Sequence, residues 1–267
     1  MLTKKPFGNL FHVKEEVVLV TGAAGQLGSA IVRTLLDCGV KVVATDMNDE
    51  LLNQAATQQQ WKRESTLLLE CDISQRGQLV EVLHVAVSHF GGVTSLVANA
   101  GVSVFEPFLE RSDSSIDHVM NVNLKGSLIC IQEFIKARIA QGGKGSVVGI
   151  ASHYGVVSPD PRIYTDCDRN SAEIYGATKA GIIQMTRYYA VHASEHHIRV
   201  NAVSPGGIRN PLNPQGEDFQ RNYSNRCPMG RMGEAEEVAE AVVFLLSPAA
   251  SYINGHNLVV DGGFTCW

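Results

Sequence analysis

Residues 17–46 constrain the fold more than any other stretch, because they are arranged as a strand, a glycine-rich turn, a helix and a second strand. Residues 17–20 form a short apolar run rich in valine, which is typical of a strand buried on both faces of a sheet. An apolar helical pattern follows and stops at Gly39, a residue type that commonly ends helices. Residues 40–44 form a second apolar strand. The order predicts a buried strand–turn–helix–strand unit.

The glycines of this unit indicate a site for a dinucleotide. Gly22, Gly25 and Gly28 are spaced three residues apart, and without a Cβ they let a pyrophosphate approach the N–H groups at the positive end of a helix. Glycines at this spacing also occur in tight turns that bind nothing, but Asp46 ends the second strand at the distance expected of a ribose-binding carboxylate. A carboxylate there repels a 2′-phosphate, and no Lys or Arg lies in the turn to offset it. The unit therefore predicts NAD rather than NADP.

Composition excludes several classes of function. A formal net charge of −5 leaves no basic surface for nucleic acid, and no segment approaches the roughly 18 apolar residues of a membrane span. Residues 1–14 lack the apolar stretch of a signal peptide. The six cysteines have no metal-ligand spacing and are read as reduced thiols, so we expect a cytoplasmic protein with no metal.

Apolar strands alternate with helical patterns along the rest of the chain. Further strands are predicted at 66–70, 95–98, 146–151, 198–203 and 257–260, and helices at 49–60, from Ser74 as N-cap to Phe90, and at 112–141, 172–196 and 234–246, with a loop at 204–230. The alternation predicts an α/β fold in which a doubly wound, parallel, seven-stranded sheet carries helices on both faces. No linker or composition shift divides it, so residues 1–267 are predicted to form one Rossmann-like domain.

Polar residues at the carboxyl ends of the strands predict a reaction site. Ligands of such sheets lie at that edge, and Asp46, Asp72, Asn99, Ser152 and Pro205 each follow a strand. Tyr175 and Lys179 follow four residues apart on one helix face. A phenol is a poor base at neutral pH, and a neighbouring ammonium would lower its pKa. A YxxxK pair alone is more often a solvated helix face. Its place behind the nucleotide unit and beside Ser152 favours chemistry.

Eight short motifs, taken together and in order, resemble the short-chain dehydrogenase/reductase family in its compact, single-domain branch. They are TGAAGQLG at 21–28, Asp72-Ile73, ANAG at 98–101, VNLKG at 122–126, GIAS at 149–152, YGATK at 175–179, NAVSPGG at 201–207 and NLVVDGG at 257–263. The resemblance covers residues 10–263. Three features, the segment at 153–174, the glycine loop and the ending VVDGGFTCW, also resemble dehydrogenases associated with bacterial surface-sugar biosynthesis.

The resemblance implies a role for each matching position. Tyr175 would be the general acid/base, Lys179 would lower its pKa and bind the nicotinamide ribose, Ser152 would orient the reacting oxygen, and Asn123 would hold a water that relays protons. The residues that would bind NAD are Gly22, Gln26, Leu27, Gly28, Asp46, Met47, Asp72, Ile73, Asn99, Ala100, Gly101, Tyr175, Lys179, Pro205, Gly206 and Ile208. The implied reaction is hydride transfer between nicotinamide C4 and a secondary alcohol or ketone.

The chain departs from the family pattern at three places. Gln26 stands where compact members usually carry glycine, a spacing that resembles the larger branch that modifies sugar nucleotides. Asn210 stands where threonine is common. Ser152 and Tyr175 are 23 residues apart, about ten more than usual, and the extra residues fall in an insertion at 153–174.

The insertion is expected to lie over the active site. It is either a solvated surface insertion or a polar lid for a sugar-like or phosphorylated substrate. The substrate-contact candidates are His153, Arg162, Arg169 and Arg209, of which the last begins a predicted substrate loop at 208–230.

The sequence thus predicts an NAD-dependent oxidoreductase that acts on a carbohydrate-like small molecule. Two alternatives stay open: an isomerase or epimerase that oxidises its substrate transiently, and an idle NAD-binding protein. The helices at 112–141 and 172–196 are those that family members pair across subunits, which implies a homodimer or homotetramer. Their apolar faces could equally be core within one chain.

Overall fold

A seven-stranded parallel sheet forms the centre of the protein. The computed structural model describes residues 11–166, 171–211 and 215–267. The strands are β1 Val17–Thr21, β2 Lys41–Asp46, β3 Thr66–Glu70, β4 Ser95–Ala98, β5 Gly145–Ile150, β6 Ile198–Pro205 and β7 Asn257–Val260. Their order across the sheet is β3-β2-β1-β4-β5-β6-β7, and all neighbours pair in parallel. The predicted fold class, a doubly wound parallel sheet in one Rossmann-like domain, is confirmed.

Helices cover both faces of this sheet. They are α1 Gln26–Asp37, α2 Asp49–Gln58, α3 Arg76–Phe90, α4 Asp113–Val119, α5 Ser127–Ala140, α6 Glu173–His192, α7 Glu217–Arg226 and α8 Ala235–Leu246. No helix of the described residues is long and apolar enough to span a bilayer.

The two faces of β1 are packed into separate cores. Val18 and Val20 contribute to a cluster with α1, α2 and α8, while Leu19 contributes to one with α3 and α5 on the opposite face. Successive side chains of a strand point to opposite faces, so a strand covered on both sides is apolar throughout. All five residues of β1 are buried. Each fully buried aliphatic side chain contributes about 1.5–3 kcal/mol of transfer free energy.

The long helix predicted at 112–141 is interrupted in its middle. A π-helical segment, Met120–Gly126, joins α4 to α5. This wider turn is rare and is found mostly at functional sites. At its centre, Asn123 is fully buried. Hydrophobic spacing could not reveal the interruption, because the apolar pattern continues across it.

Three other predicted boundaries are wrong. The loop predicted at 204–230 contains α7, which buries only Phe219 and Tyr223, one turn apart, and is otherwise polar. The N-cap of α3 is Gln75 rather than Ser74, whose backbone N–H instead donates to Asp72. Helix α6 ends at His192 rather than at residue 196, and the remaining residues of the predicted helix form a short 3₁₀ turn, Ser194–His196.

Candidate active site

A cavity of about 670 Å³ opens at the carboxyl ends of the strands. Predicted residues from seven segments of the chain line it: Gly22, Gln26, Leu27, Gly28, Asp46, Met47, Asp72, Ile73, Asn99, Ala100, Gly101, Ser152, Tyr175, Lys179, Pro205, Gly206 and Ile208. Asn123 lies behind this lining. The parallel sheet brings these segments together because all its strands end at the same edge.

The glycine turn between β1 and α1 leaves no room for side chains. Gly22 has φ +64°, and a Cβ there would lie 2.7 Å from Cα of Ala100. A Cβ on Gly28 would overlap the Gly22 carbonyl oxygen and lie 2.9 Å from Nδ2 of Asn99. Gly25 is the N-cap of α1 and, as a glycine, has no side chain that could cap the helix. The first N–H groups of α1 therefore have no capping oxygen of their own, which is the donor set that a pyrophosphate fits.

Asn99 fastens the end of β4 to this turn. Its Nδ2 donates to the carbonyl oxygens of Thr21 at 2.9 Å and Gly22 at 3.0 Å, while its backbone N–H donates to the Thr21 hydroxyl. Buried carbonyls without a partner are costly, so an amide is well suited to this position. These contacts hold the ends of the central strands β1 and β4 together.

Asp46 places a carboxylate at the rim of the same turn. Its Oδ2 accepts a hydrogen bond from the Ala24 N–H at 3.1 Å, and its Oδ1 accepts one from the Asn48 N–H at 3.3 Å. These two bonds orient the carboxylate between the glycine turn and the start of α2. The oxygens keep lone pairs that can accept from ribose hydroxyls.

Ser152 and Tyr175 lie beside each other in this lining. The Ser152 oxygen accepts from the Tyr154 N–H at 3.1 Å, which fixes its orientation. Burial raises the pKa of Tyr175 above its ordinary value, and the Ser152 hydroxyl offsets only part of that rise. The expected lowering of the Tyr175 pKa by Lys179 is therefore not what the structure has. Removal of the phenol from water outweighs it.

Lys179 is buried one helical turn beyond Tyr175. Its Nζ donates to the Ile150 carbonyl oxygen at 2.8 Å and lies 5.5 Å from the centroid of the Tyr175 ring. Burial lowers the pKa of Lys179 to about 8. Nζ would lie 3.4 Å from a Cβ on Gly101, and Oδ1 of Asn123 would lie 3.3 Å from the same point, so the two side chains converge there.

The side-chain amide of Asn123 has two bonds to Val102, and its Nδ2 also lies 3.3 Å from the Thr178 hydroxyl, to which it donates. Its Oδ1 accepts from the Val102 N–H at 2.7 Å, and its Nδ2 donates to the Val102 carbonyl oxygen at 2.9 Å. The Ser127 hydroxyl donates to its backbone carbonyl at 2.7 Å. The π-helical segment thus fixes the strand-end loop beside Lys179. A water-holding role for Asn123 stays a prediction.

The substrate-contact candidates are not brought together at the cavity. Arg162 is held by Asp160 and its side chain is 84% exposed, while Arg209 pairs with Glu234 at 2.9 Å. His153 is buried behind the cavity wall. Arg169 lies outside the described residues. Sequence position alone could not give the direction of these side chains.

The insertion is less polar in its packing than its composition suggests. Ile163 is buried in a cluster with Phe219, Tyr223 and Phe264, and this cluster joins the insertion to α7. The hydroxyls of Tyr154 and Tyr164 are 2.8 Å apart. The described part of the insertion is therefore packed against α7 through Ile163, while other residues in it, such as Arg162, stay exposed.

Sequence reasoning missed several lining residues. Val102, Ser103, His118, Asn121 and Val122 also line the cavity. The first two continue the loop after β4 and the last two precede Asn123, so proximity to predicted residues was the available signal. The sequence offered no such signal for His118, because its place in the lining depends on the direction of α4.

Comparison with known proteins points to one family. The family model described as enoyl-(acyl carrier protein) reductase matches residues 22–265. An NAD-dependent glycerol dehydrogenase of Listeria innocua is 33% identical over 99% of both chains, and a ribulose-forming D-arabinitol 2-dehydrogenase of Candida tropicalis is 33% identical over 96% of this chain and 95% of its own. A crystal structure of a short-chain dehydrogenase from Leptospira borgpetersenii with bound NAD⁺ superposes with a TM-score of 0.86 at 35% identity, covering 99% of this chain and 98% of that one.

Proposed function

Because the chain belongs to the short-chain dehydrogenase/reductase family, we propose that this oxidoreductase uses NAD to interconvert a secondary alcohol and a ketone in a small, neutral polyol. One observation carries the proposal. Ser152 and Tyr175, with Lys179 beside them, line the same cavity as the glycine turn and Asp46. A proton-transfer group and a nucleotide cradle in one cavity suit transfer of a hydride and a proton to one substrate.

The choice of NAD rests on charge. Asp46 would accept hydrogen bonds from a free ribose hydroxyl and repel a phosphate at that position. Among the described residues that line the cavity, Lys179 is the one Lys or Arg, and it is bound to Ile150 at the opposite end. NADP would thus meet an unbalanced carboxylate. The name of the Listeria relative and the ligand of the Leptospira structure support the same choice.

The side chains would divide the proton work. NAD supplies hydride acceptance at C4 of its nicotinamide when it is bound. The Ser152 hydroxyl, oriented by the Tyr154 N–H, would donate to the reacting oxygen. Tyr175, which its raised pKa keeps protonated, would give its proton to a ketone oxygen or, once deprotonated, take one from an alcohol. Lys179 would hold the nicotinamide ribose.

A neutral polyol fits the lining better than a phosphorylated sugar. Phosphate sites in proteins use Arg or Lys. The Arg candidates near the cavity that the structure describes are bound to Asp160 and Glu234 instead. Glycerol and D-arabinitol, named for two relatives, are neutral polyols.

The proposal is tested by measuring NADH formation across matched substrates. The panel contains glycerol, pentitols, hexitols, their phosphates and long-chain alcohols, each with NAD and with NADP. We expect turnover of at least one neutral polyol, with NAD preferred. Turnover of the phosphates or of long-chain alcohols alone would contradict the proposed substrate class. Product without net NADH would indicate the isomerase, and NAD binding without any product the idle binder.

Assembly and location belong to the proposal as well. Outward residues of α5 and α6 include Ile139, Tyr188 and Val191, and Val191 is 73% exposed. Burial of these side chains between subunits would stabilise a homodimer or homotetramer. Light scattering tests the mass in solution. We also propose a cytoplasmic location, since the buried free thiols suit a reducing compartment.

A further inference from the structure

Three buried aromatic side chains from separate parts of the chain meet behind the cavity wall. His153 follows Ser152, Tyr223 lies on α7, and Phe264 lies near the end of the chain. Each is at most 3% exposed. The rings of Tyr223 and Phe264 are stacked at 4.9 Å, and the His153 ring meets Phe264 edge-on at 5.0 Å. We call these three residues the aromatic anchor.

The aromatic anchor forms hydrogen bonds with the segment that follows β6. The Tyr223 hydroxyl accepts from the Gly207 N–H at 2.6 Å. Nδ1 of His153 lies 2.9 Å from the Pro205 carbonyl oxygen, and because a carbonyl can only accept, Nδ1 carries the proton. Residues 205–208, here called the β6 loop, provide Pro205, Gly206 and Ile208 to the cavity lining.

The β6 loop also lies directly against the Tyr223 ring. A Cβ on Gly207 would lie 2.6 Å from Cε2 of Tyr223, and a Cβ on Gly206 would lie 2.8 Å from its hydroxyl oxygen. These spacings are closer than side-chain atoms allow, so the position of the ring and the path of the loop determine each other.

We propose that Tyr223 is a positioning residue for the nicotinamide half of the cofactor, acting through the Gly207 N–H. This inference rests on the proposed function. The β6 loop would bound the nicotinamide, whereas the adenosine half would depend on the ends of β1, β2 and β3, which carry the glycine turn, Asp46 and Asp72. Within the described residues, the hydrogen bond of Tyr223 is with Gly207 and its ring contacts are with His153, Phe219 and Phe264, none of which belongs to that adenosine end. Tyr223 lies on α7, which is part of the predicted substrate loop at 208–230. The bond from Gly207 to Tyr223 would therefore connect that loop to the cofactor.

Two ligands separate positioning of the nicotinamide from general stabilisation. NADH contains both halves of the cofactor, whereas ADP-ribose lacks the nicotinamide. Isothermal titration gives the affinity of the full-length protein for each. Tyr223→Phe removes only the hydroxyl and keeps the buried ring. We expect its NADH affinity to fall about five- to tenfold, the range of one lost hydrogen bond, with ADP-ribose affinity unchanged within about twofold.

A matched control and a second variant complete the test. Tyr252 is fully exposed, so Tyr252→Phe should leave both affinities unchanged. Gly207→Ala keeps the Tyr223 hydroxyl but forces a Cβ against the ring, and we expect the same selective loss of NADH affinity. It serves as the deciding variant if Tyr223→Phe does not fold.

The outcomes are distinguishable. A selective loss of NADH affinity in either variant supports the inference. Equal loss of both ligands, or no loss of NADH affinity, overturns it and leaves the proposed function standing. Wild-type protein that binds neither ligand removes the proposed function, and the inference with it.

Discussion

Burial acts on Tyr175 and Lys179 in opposite directions. It raises the pKa of the phenol and lowers the pKa of the ammonium to about 8, since in both cases a low-dielectric surrounding disfavours the charged form. At neutral pH the phenol therefore holds its proton, and the neighbouring Ser152 hydroxyl is the group that lowers its pKa in part.

Substitution of Tyr175 tests its role as the proton donor. Tyr175→Phe should lower kcat by about 10²- to 10⁴-fold, the usual contribution of a positioned acid or base. ADP-ribose affinity should stay within about twofold, because only one oxygen is removed. Steady-state kinetics and calorimetry give the two quantities. Tyr188→Phe, on the exposed side of the same helix, is the control. A Tyr175→Phe variant with wild-type kcat would refute the assignment.

The buried His153 predicts a dependence of stability on pH. Burial lowers its pKa below 6.5, despite the opposing effects of Pro205 and Asp261. The unfolded chain then binds a proton more readily than the folded one. The contribution of His153 to the free energy of unfolding is therefore fully present above pH 6.5 and is lost as pH decreases through the folded pKa. Thermal melts from pH 7.5 to 5 should show a falling Tm.

His153→Asn is the variant that isolates this effect, because its amide can still donate to the Pro205 carbonyl but does not titrate. Its Tm should fall less steeply over the same pH range. Parallel curves for the two proteins would assign the pH dependence to other groups.

For single residues, the sequence predicted which residues form the site better than it predicted the directions of their side chains. Ser152, Tyr175 and Lys179 were predictable because strand ends and helix spacing place them. The pairing of Arg162 with Asp160 was not, since a short polar segment permits many side-chain directions. The burial of His153 depends on Phe264, more than a hundred residues away.

The elements show the same division between local pattern and tertiary contact. The five inner strands were predictable because strands buried on both faces are continuous apolar runs, and the half-buried edge strands β3 and β7 contain short apolar runs as well. Helix α7 was not, because its buried face consists of Phe219 and Tyr223 alone, and their partners Ile163 and Phe264 come from other segments. The π-helical segment depends on the bonds of Asn123 with Val102, which spacing along a helix cannot encode.

Two glycines in helices should respond in opposite ways to alanine. Gly28 lies in α1, and a Cβ added to it would overlap the Gly22 carbonyl oxygen and crowd Ala23. Gly28→Ala should therefore displace the glycine turn and lower Tm. Gly77, in α3, has nothing within 4 Å, and Gly77→Ala should add about 0.5–1 kcal/mol to the free energy of unfolding. Urea melts measure both. The same sign for the two variants would contradict the packing described for the turn.

In the whole molecule, the carboxyl edge of the sheet, where the strands end, and the amino edge, where they begin, have different roles. The predicted reaction residues lie at the carboxyl edge. The amino edge has a cavity of about 720 Å³, similar in size to the candidate active site, lined by Glu16, Ser95 and Arg199 among others. Cavity size therefore does not identify the site. Some polar groups of this amino-edge cavity are engaged with the protein itself: the Glu16 carboxylate accepts from the Ser95 hydroxyl at 3.0 Å.

Arg199 is the residue that best tests this separation. Its Nη2 donates to the Leu245 carbonyl oxygen at 2.8 Å and to Leu246 at 3.3 Å, and its Nη1 donates to Ile253 at 3.3 Å. The guanidinium thus satisfies carbonyls at the end of α8, and cations are favourable at helix C-termini. Burial lowers the pKa of Arg199, so its charge is partly desolvated and its bonds matter more.

Arg199→Met keeps the apolar stem and removes these donors. The free energy of unfolding should fall by about 1.5–3 kcal/mol, which for a chain of this size lowers Tm by about 3–10 °C. KM and kcat at 25 °C should stay within about twofold, since no contact connects Arg199 to the cavity at the carboxyl edge in the part of the chain that is described. Arg63→Met, at an exposed arginine, should change neither quantity. A kinetic loss in Arg199→Met without a fall in Tm would mean that the amino edge takes part in function, and the assignment of chemistry to one edge would be wrong.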